Sequence, residues 1–289
     1  MGLIDALKKG HSVNQRGYFD SYKENIFGGQ MSEHFQDMFD EGSGGELHSK
    51  AEAVHSSSML SYNFFHWIDD EHPFEWKQVK YTQVFFEVKM KTIKGSLAPA
   101  NMDVVLIDKD KKHLLFIESK FTEYTEIKKF DLSKSYREEN KWYNKDVKWE
   151  KIVGYIPEKE YKYKEGVKQL ITHLFGIHSQ FVEPCDTFKN VGIIDFGKVE
   201  LKFITLIFEP SNERFKDEHK AYANYKELFE NFRDFIEDKD VGLKVVPEWE
   251  SYSNLWVKMK EQMPKDLKDY LMERYMNFAE MERYMNFAE

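Results

Sequence analysis

Two acidic residues and one lysine are spaced along this chain in a way that suits metal-dependent hydrolysis. Asp103 opens one short apolar run, and Glu118 and Lys120 close the next. Residues two apart on a β-strand share a face, so Glu118 and Lys120 point the same way while Ser119 points to the other side. Carboxylates are ligands that Mg²⁺ prefers, and bound Mg²⁺ activates water for attack on a phosphodiester. The spacing therefore indicates a hydrolytic site with Asp103 and Glu118 as metal ligands.

Lys120 would supply a positive charge to such a site. Two neighbouring carboxylates would keep its ammonium group protonated, and a protonated lysine can orient the attacking water or stabilise charge that develops on the phosphate. The alternative is an ordinary exposed hairpin, on which Glu118 and Lys120 form a surface ion pair of little energetic weight. An Asp followed by Glu-x-Lys also arises by chance, so these residues alone leave both interpretations open.

The two apolar runs predict a β-hairpin. They occupy residues 104–107 and 114–117, and the charged segment 108–112 joins them. Short apolar runs on either side of a polar turn are typical of two antiparallel strands. Pairing of these strands would bring Asp103 back beside Glu118.

The flanking sequence predicts an α/β protein with one mixed sheet. Residues 79–90 and 201–208 are rich in β-branched and aromatic side chains, which favours strands. Short strands are also expected at 191–196 and 243–246. Apolar residues at helical spacing predict helices at 20–26, 32–39, 56–68, 160–175, 217–238 and from 252 onward. Gly176 is the expected end of the 160–175 helix.

We predict a single α/β domain for residues 1–289. Its core spans about 44–210, with an insertion at about 121–158 and a helical C-terminal extension at about 217–289. The end of the chain is a tandem repeat, since MERYMNFAE at 272–280 recurs at 281–289. Nine residues are two and a half helical turns, so the second copy cannot continue the packed stripe of the first.

The composition is that of an ordinary globular protein. The chain has 289 residues, of which 41% are hydrophobic and 32% charged, enough for a sizeable core. A single cysteine, Cys185, excludes an intramolecular disulfide and a cysteine-rich zinc site, and it suits a reducing compartment. The sequence shows neither a membrane-spanning run nor a secretory signal, so we expect a cytoplasmic protein without a membrane partner.

The distribution of charge bears on nucleic-acid binding. A net charge of −9 argues against a protein that coats nucleic acid without specificity. Between Lys120 and Lys168, however, 13 Lys and Arg residues outnumber 10 Asp and Glu residues. This segment would supply phosphate contacts, and its interleaved aromatic residues could stack on bases. An insertion with a solvated charged face and a small aromatic core explains the same residues.

The order of elements and four short motifs resemble the PD-(D/E)XK nuclease superfamily. Within it, the motifs are similar to those of a family of restriction-endonuclease-like proteins; they are GGEL at 44–47, SSSMLSYNFF at 56–65, FFEVK at 85–89 and FIESKFTE at 116–123. The resemblance covers roughly residues 40–210. It implies a restriction-endonuclease-like αβββαβ core, with a mixed central sheet flanked by helices. Met102 precedes Asp103 where the superfamily often has proline, which is a minor departure.

The resemblance implies a catalytic set of Asp103, Glu118 and Lys120. Glu46 would be the upstream helical acid, although a negative charge is also favourable at a helix N-terminus for structural reasons. Gln169 would be the polar active-site residue on the helix that follows.

Three other residues of these motifs, and His173 on the 160–175 helix, receive expectations of their own. Glu87 is expected to join the acids as a metal ligand rather than pair with Lys89. His173 lies one turn after Gln169 and is expected on a solvated helix edge. Ser119 is expected to be structural, and Glu123 to be a solvated charge.

The implied activity is Mg²⁺-dependent hydrolysis of DNA phosphodiester bonds by an endonuclease of restriction or defence type, with Mn²⁺ as a substitute for Mg²⁺. One alternative is a non-catalytic DNA-binding module with the same fold, and another is a nuclease that acts on RNA. A homodimer is compatible with this activity, because two sites related by a twofold axis can cut both strands of a duplex.

Overall fold

The computed structural model describes residues 1–42, 47, 50–96, 98–129, 131–157, 159 and 161–281. Within these ranges the chain builds a mixed sheet of six strands, which lie side by side in chain order. Neighbours are antiparallel from the first strand to the fourth, and the fifth and sixth run parallel to the fourth. The strands are β1 (Phe74–Trp76), β2 (Val79–Met90), β3 (Ala100–Asp108), β4 (His113–Lys120), β5 (Glu200–Ile207) and β6 (Pro247–Ser251).

Helices cover both faces of the sheet. In chain order they are α1 (Leu3–Lys8), α2 (Glu33–Glu41), α3 (Ser57–Phe65), α4 (Trp149–Val153), α5 (Glu165–Ser179), α6 (Asp186–Asn190), α7 (Lys216–Asp238), α8 (Tyr252–Met259) and α9 (Lys265–Arg274). The first three and last two pack on one face, and the four between them pack on the other. In the described part of the chain, no helix combines the length and the apolar character that a membrane crossing requires.

The core elements follow the predicted order. Along the chain, α3, β2, β3, β4, α5 and β5 form the αβββαβ arrangement of a restriction-endonuclease-like core. β1 and β6 extend the sheet at its two edges. The predicted fold class is therefore confirmed.

The β3–β4 hairpin is held together at its turn by Asp108. Its Oδ1 accepts the backbone N–H groups of Lys112 and His113, both at 2.7 Å. Lys111 takes a φ of +59°, a turn conformation that helps the chain reverse. The predicted hairpin is confirmed, and its open end, away from this turn, carries Asp103, Glu118 and Lys120.

The helix α5 makes the crossover that two parallel strands require, here between β4 and β5. It was predicted to end before Gly176, and that prediction is wrong, because the helix continues to Ser179. A Cβ atom on Gly176 would lie 3.1 Å from the Cβ of Met90 and 3.3 Å from that of Ala100. The glycine thus allows the helix to lie close to the sheet instead of ending it.

Of the other predicted helices and strands, some are confirmed and some are wrong. The strand 79–90 is confirmed, and so are the helices at 32–39, 56–68 and 217–238, within one to three residues at their ends. Residues 20–26, however, contain only a 3₁₀ turn at Tyr22–Asn25. Residues 191–196, all described, contain no strand, and the last strand follows the predicted 243–246 rather than coinciding with it. Ile193, Phe196 and Val245 of the two segments predicted as strands are buried in the core without pairing as strands, whereas Ile194 is 74% exposed.

The aromatic residues of the segment 121–158 mostly belong to the core. Tyr124, Trp142, Trp149 and Tyr155 are all buried. They are therefore not available to stack on bases. They pack in the same core as residues of the sheet and α5 rather than in a separate small core of the insertion.

Candidate active site

Asp103 and Glu118 lie opposite each other at the open end of the hairpin. The ladder between β3 and β4 runs up to the pair Val104–Ile117, and the two acids are the next residues along. The carboxylate of Asp103 then takes the place of the main chain, since its Oδ2 accepts the backbone N–H of Ser119 at 2.6 Å. The structure thus brings the two acids together as the hairpin predicted.

Glu87 adds a third carboxylate from β2. The β2–β3 register continues on both sides of it and places it opposite Asp103. Its φ is +50°, a strained conformation for a residue other than glycine, and such strain clusters at functional sites. Phe86 and Val88 would share a face in a regular strand, yet they pack in the cores on opposite faces, so the alternation shifts at Glu87. We call Glu87, Asp103 and Glu118 the acid cluster.

Glu118 is held from two sides. The ammonium group of Lys120 donates a hydrogen bond to Oε1, and Nε2 of His173 lies 2.8 Å from Oε2. The side chains are 4% exposed for Glu118 and 6% for both Lys120 and His173. This burial rules out the alternative of an exposed hairpin with a surface ion pair.

Burial and charge set the protonation of these groups. Burial raises the pKa of Asp103 well above its usual value, with a further contribution from the Glu118 carboxylate, and Lys120 only partly offsets this. Burial would also raise the pKa of Glu118, but Lys120 and His173 outweigh it and lower that pKa to about 2. Burial opposes the charge of Lys120, but Glu118 prevails and raises the lysine pKa well above its usual value. A charged Glu118–Lys120 pair therefore lies beside an acid whose own charge is not fully compensated.

Gln169 lies on α5 and lines the same pocket as the acids. Its Oε1 accepts a hydrogen bond from the hydroxyl of Tyr163 at 2.8 Å, which leaves the amide NH₂ group available as a donor. The sequence pattern does not predict a role for Tyr163. Its position before α5, outside any of the four motifs, gave no signal of this contact.

The expectation for His173 was wrong. This residue was placed on a solvated helix edge, but it is buried and contacts Glu118. The spacing shows which residues form the apolar stripe of α5. It does not show that close packing of the helix also buries the residues beside that stripe, such as His173. A signal was present in the spacing, since His173 follows the buried Leu170 by three residues.

Ser119 and Glu123 differ in outcome. Ser119 faces away from the acids as expected, and its Oγ lies 2.8 Å from the hydroxyl of Tyr252. Glu123 was expected to be solvated, and that is wrong. It is partly buried, and its Oε2 accepts the backbone N–H of Phe121 at 2.6 Å, which fixes the turn after β4.

One pocket of about 510 Å³ gathers these groups. The acids contribute from three strands, Lys120 from the end of β4, and Gln169 and His173 from α5. The start of α3 and two lysines, Lys50 and Lys128, also line the pocket. The pocket is thus polar and contains groups of both charges.

A family model matches residues 7–276, and its description is restriction endonuclease associating with ARP. The chain belongs to this family. The match extends well beyond the residues 40–210 that carry the sequence resemblance, and the description supports a nuclease-like role. Comparisons with curated proteins and with solved structures give no match.

One of the predicted site residues lies outside the described ranges. Glu46, the upstream helical acid that the resemblance implies, falls in the undescribed stretch 43–46. Its role stays a prediction. Lys89, the alternative partner of Glu87, is exposed, whereas Glu87 is buried among the acids.

The carboxylates of the acid cluster are suitable ligands for a hard divalent cation. In the part of the chain that is described, no three His, Cys, Asp or Glu side chains are already grouped as a metal cage. Mg²⁺ does not require one, since it is usually held by one or two carboxylates together with water and phosphate oxygens. The raised pKa of Asp103 means that an added positive charge would be favourable there. These donors therefore fit Mg²⁺ or Mn²⁺.

Proposed function

We propose that the protein is a Mg²⁺-dependent endonuclease that hydrolyses phosphodiester bonds in DNA and serves restriction or defence. The observation that carries this proposal is the convergence of Asp103, Glu118 and Lys120 in one open pocket, with the Glu118–Lys120 pair buried and charged. The family description supports the nuclease part of the proposal. The metal and the phosphodiester substrate rest on the chemistry of the site, and the restriction or defence role rests on the family description.

In this proposal the acid cluster holds the cation, with Asp103 and Glu118 as ligands and Glu87 beside them. When bound, the cation would supply an activated water molecule and stabilise charge that develops on the phosphate. Lys120 remains protonated because its pKa is raised, so it orients the water or stabilises the phosphate as a cation rather than acting as a base. The free amide donor of Gln169 is suited to a phosphate oxygen.

Charge around the pocket favours a polyanionic substrate only once a cation is present. The acid cluster by itself repels phosphate. Lys50 and Lys128 also line the pocket and would add positive charge near a substrate phosphate, and Lys128 lies 3.0 Å from Glu126. A phosphodiester therefore fits best with one bound cation between it and the acids.

One observation favours the second candidate, a non-catalytic DNA-binding module. Both carboxylate oxygens of Glu118 already have partners, Lys120 and His173, so a cation would have to share these oxygens. Each carboxylate oxygen has two lone pairs, which allows such sharing. We therefore favour the nuclease.

The test is incubation of the purified protein with plasmid DNA, linear duplex, single-stranded DNA and RNA, each with Mg²⁺, Mn²⁺ or EDTA. We expect cleavage of DNA with either metal and none with EDTA. Binding of the same substrates is measured in Ca²⁺ by mobility shift. DNA binding without cleavage would favour the non-catalytic module, cleavage of RNA alone would change the substrate, and cleavage in EDTA would exclude the metal.

A further inference from the structure

We propose that His173 is a positioning residue, which holds Glu118 in the orientation in which the acid cluster binds a divalent cation. This inference rests on the proposed function. It assigns a role to a helix residue that the sequence pattern had placed in solvent. His173 acts through Glu118 and does not need to touch the cation or the substrate.

The first support is the way in which Glu118 is held. Lys120 reaches Oε1 from the same strand on a flexible stem, so it cannot fix the plane of the carboxylate alone. His173 reaches Oε2 from α5, a different element, with Nε2 at 2.8 Å. Its ring packs edge-on against Phe203 of β5, with ring centroids 6.0 Å apart. A rigid ring held by its own packing thus defines where the carboxylate points.

The second support is a contrast between two buried histidines of α5. His178 is satisfied at both ring nitrogens, since Nδ1 lies 2.8 Å from the carbonyl oxygen of Leu174 and Nε2 accepts the backbone N–H of Lys244 at 2.9 Å. His173 has a buried Nδ1 with no hydrogen-bond partner among the described residues. Buried polar groups are nearly always paired, so an exception calls for an explanation.

His178 has the contacts of a structural residue, and His173 does not. Its ring has one strong contact, with a carboxylate of the acid cluster, and it lines the pocket. The geometry is instead that of a partner that orients a ligating carboxylate, and loss of such partners typically lowers metal affinity by about 10- to 100-fold.

The experiment measures Mn²⁺ binding, which does not depend on activity. Free Mn²⁺ is followed by electron paramagnetic resonance during titration of the wild-type protein, His173→Leu, His173→Gln and the matched control His178→Leu. We expect the Mn²⁺ Kd of His173→Leu to rise by about 10- to 100-fold. His173→Gln keeps a donor for Glu118 and should recover most of the affinity, and His178→Leu should bind Mn²⁺ as the wild type does. Thermal unfolding shows that each variant is folded, and His178→Gln replaces His178→Leu if the latter is not.

The outcomes separate this inference from the proposed function. Wild-type affinity in His173→Leu would overturn the positioning role and leave the nuclease proposal intact. An equal loss in the His178 control would also overturn it, because the effect would then be a general consequence of a weakened helix. A wild-type protein that binds no Mn²⁺ would overturn the metal-dependent function and this inference with it.

Discussion

The carboxylate of Asp103 accepts the backbone N–H of Ser119 at 2.6 Å, so a side chain joins β3 to β4 where their ladder ends. One residue therefore has two tasks. It ties the hairpin together between Glu118 and Lys120, and it contributes a carboxylate to the acid cluster. Substitutions that preserve only one of these tasks can separate them.

Asp103→Asn should separate stability from activity. The amide oxygen can still accept the N–H of Ser119, while the loss of a buried, poorly compensated charge relieves the penalty that raises the Asp103 pKa. We expect the melting temperature to stay the same or rise, and Mg²⁺-dependent cleavage to fall by roughly 100-fold or more. Thermal unfolding and initial cleavage rates measure the two effects. A clearly destabilised variant that still cleaves DNA would contradict this account of Asp103.

The Glu118–Lys120 pair should show strong energetic coupling. Glu118→Gln leaves Lys120 buried without its main partner, and a broken buried pair typically costs about 3–5 kcal/mol. Lys120→Met should destabilise the protein less than Glu118→Gln does, because His173 still contacts the Glu118 carboxylate. The double variant should be more stable than the sum of the single effects by about 1–3 kcal/mol, as measured by urea unfolding. Additive single effects would mean that the two charges do not depend on each other.

His178 should make stability depend on pH. Burial lowers the pKa of His178 from 6.5 to about 4, because the charged ring would lose its hydration in the core, and the hydrogen bond to the Leu174 carbonyl only partly offsets this. The His178 ring binds a proton more readily in the unfolded chain than in the folded protein. The contribution of neutral His178 to the free energy of unfolding is therefore complete above pH 6.5 and is lost as the pH falls towards 4. At about 1.4 kcal/mol per pH unit, the free energy of unfolding falls by roughly 3 kcal/mol through this group.

The measurement compares urea unfolding at pH 7 and pH 4.5 for the wild type and His178→Gln. The difference between the two pH values should be smaller in the variant, since it lacks the titrating ring. His34→Gln is the control, because His34 is an exposed histidine and its replacement should leave the pH dependence unchanged. An equal pH dependence in all three proteins would exclude this role of His178.

Gly176→Val should disturb both the fold and the site. A side chain there would press on Met90 and Ala100 and move α5 away from the sheet, and overpacking of this kind typically costs about 1–3 kcal/mol. The same helix carries Gln169 and His173, so Mn²⁺ affinity and cleavage should fall together with stability. Urea unfolding and Mn²⁺ titration measure the two effects. Unchanged Mn²⁺ affinity in a destabilised variant would show that the site tolerates movement of α5.

The sequence predicted best those features that are local. The hairpin, β2 and α3 follow from runs and spacings within a few residues of one another, and the pairing of Asp103 with Glu118 follows from the hairpin. The resemblance added the order of the core and pointed to Gln169. The shift in side-chain alternation at Glu87 could not be predicted, because a positive φ within a strand leaves no pattern in the types of side chain.

Features that depend on how closely elements pack were missed. The sequence pattern predicts the end of a helix at Gly176, but the missing side chain instead allows close contact with β2 and β3. His173 and Glu123 were placed in solvent, since helical spacing and charge do not reveal how much of a flank another element covers. The aromatic residues of 121–158 were open to two interpretations, and only their burial decides between them.

The most direct test of the nuclease proposal is the initial rate of Mg²⁺-dependent cleavage of duplex DNA by Lys120→Met. Lys89→Met is the matched control, because Lys89 is exposed and absent from the pocket. We predict that Lys120→Met lowers the rate by about 100-fold or more while the protein remains folded, and that Lys89→Met cleaves as the wild type does. Cleavage by folded Lys120→Met at the wild-type rate would contradict the assignment of this site.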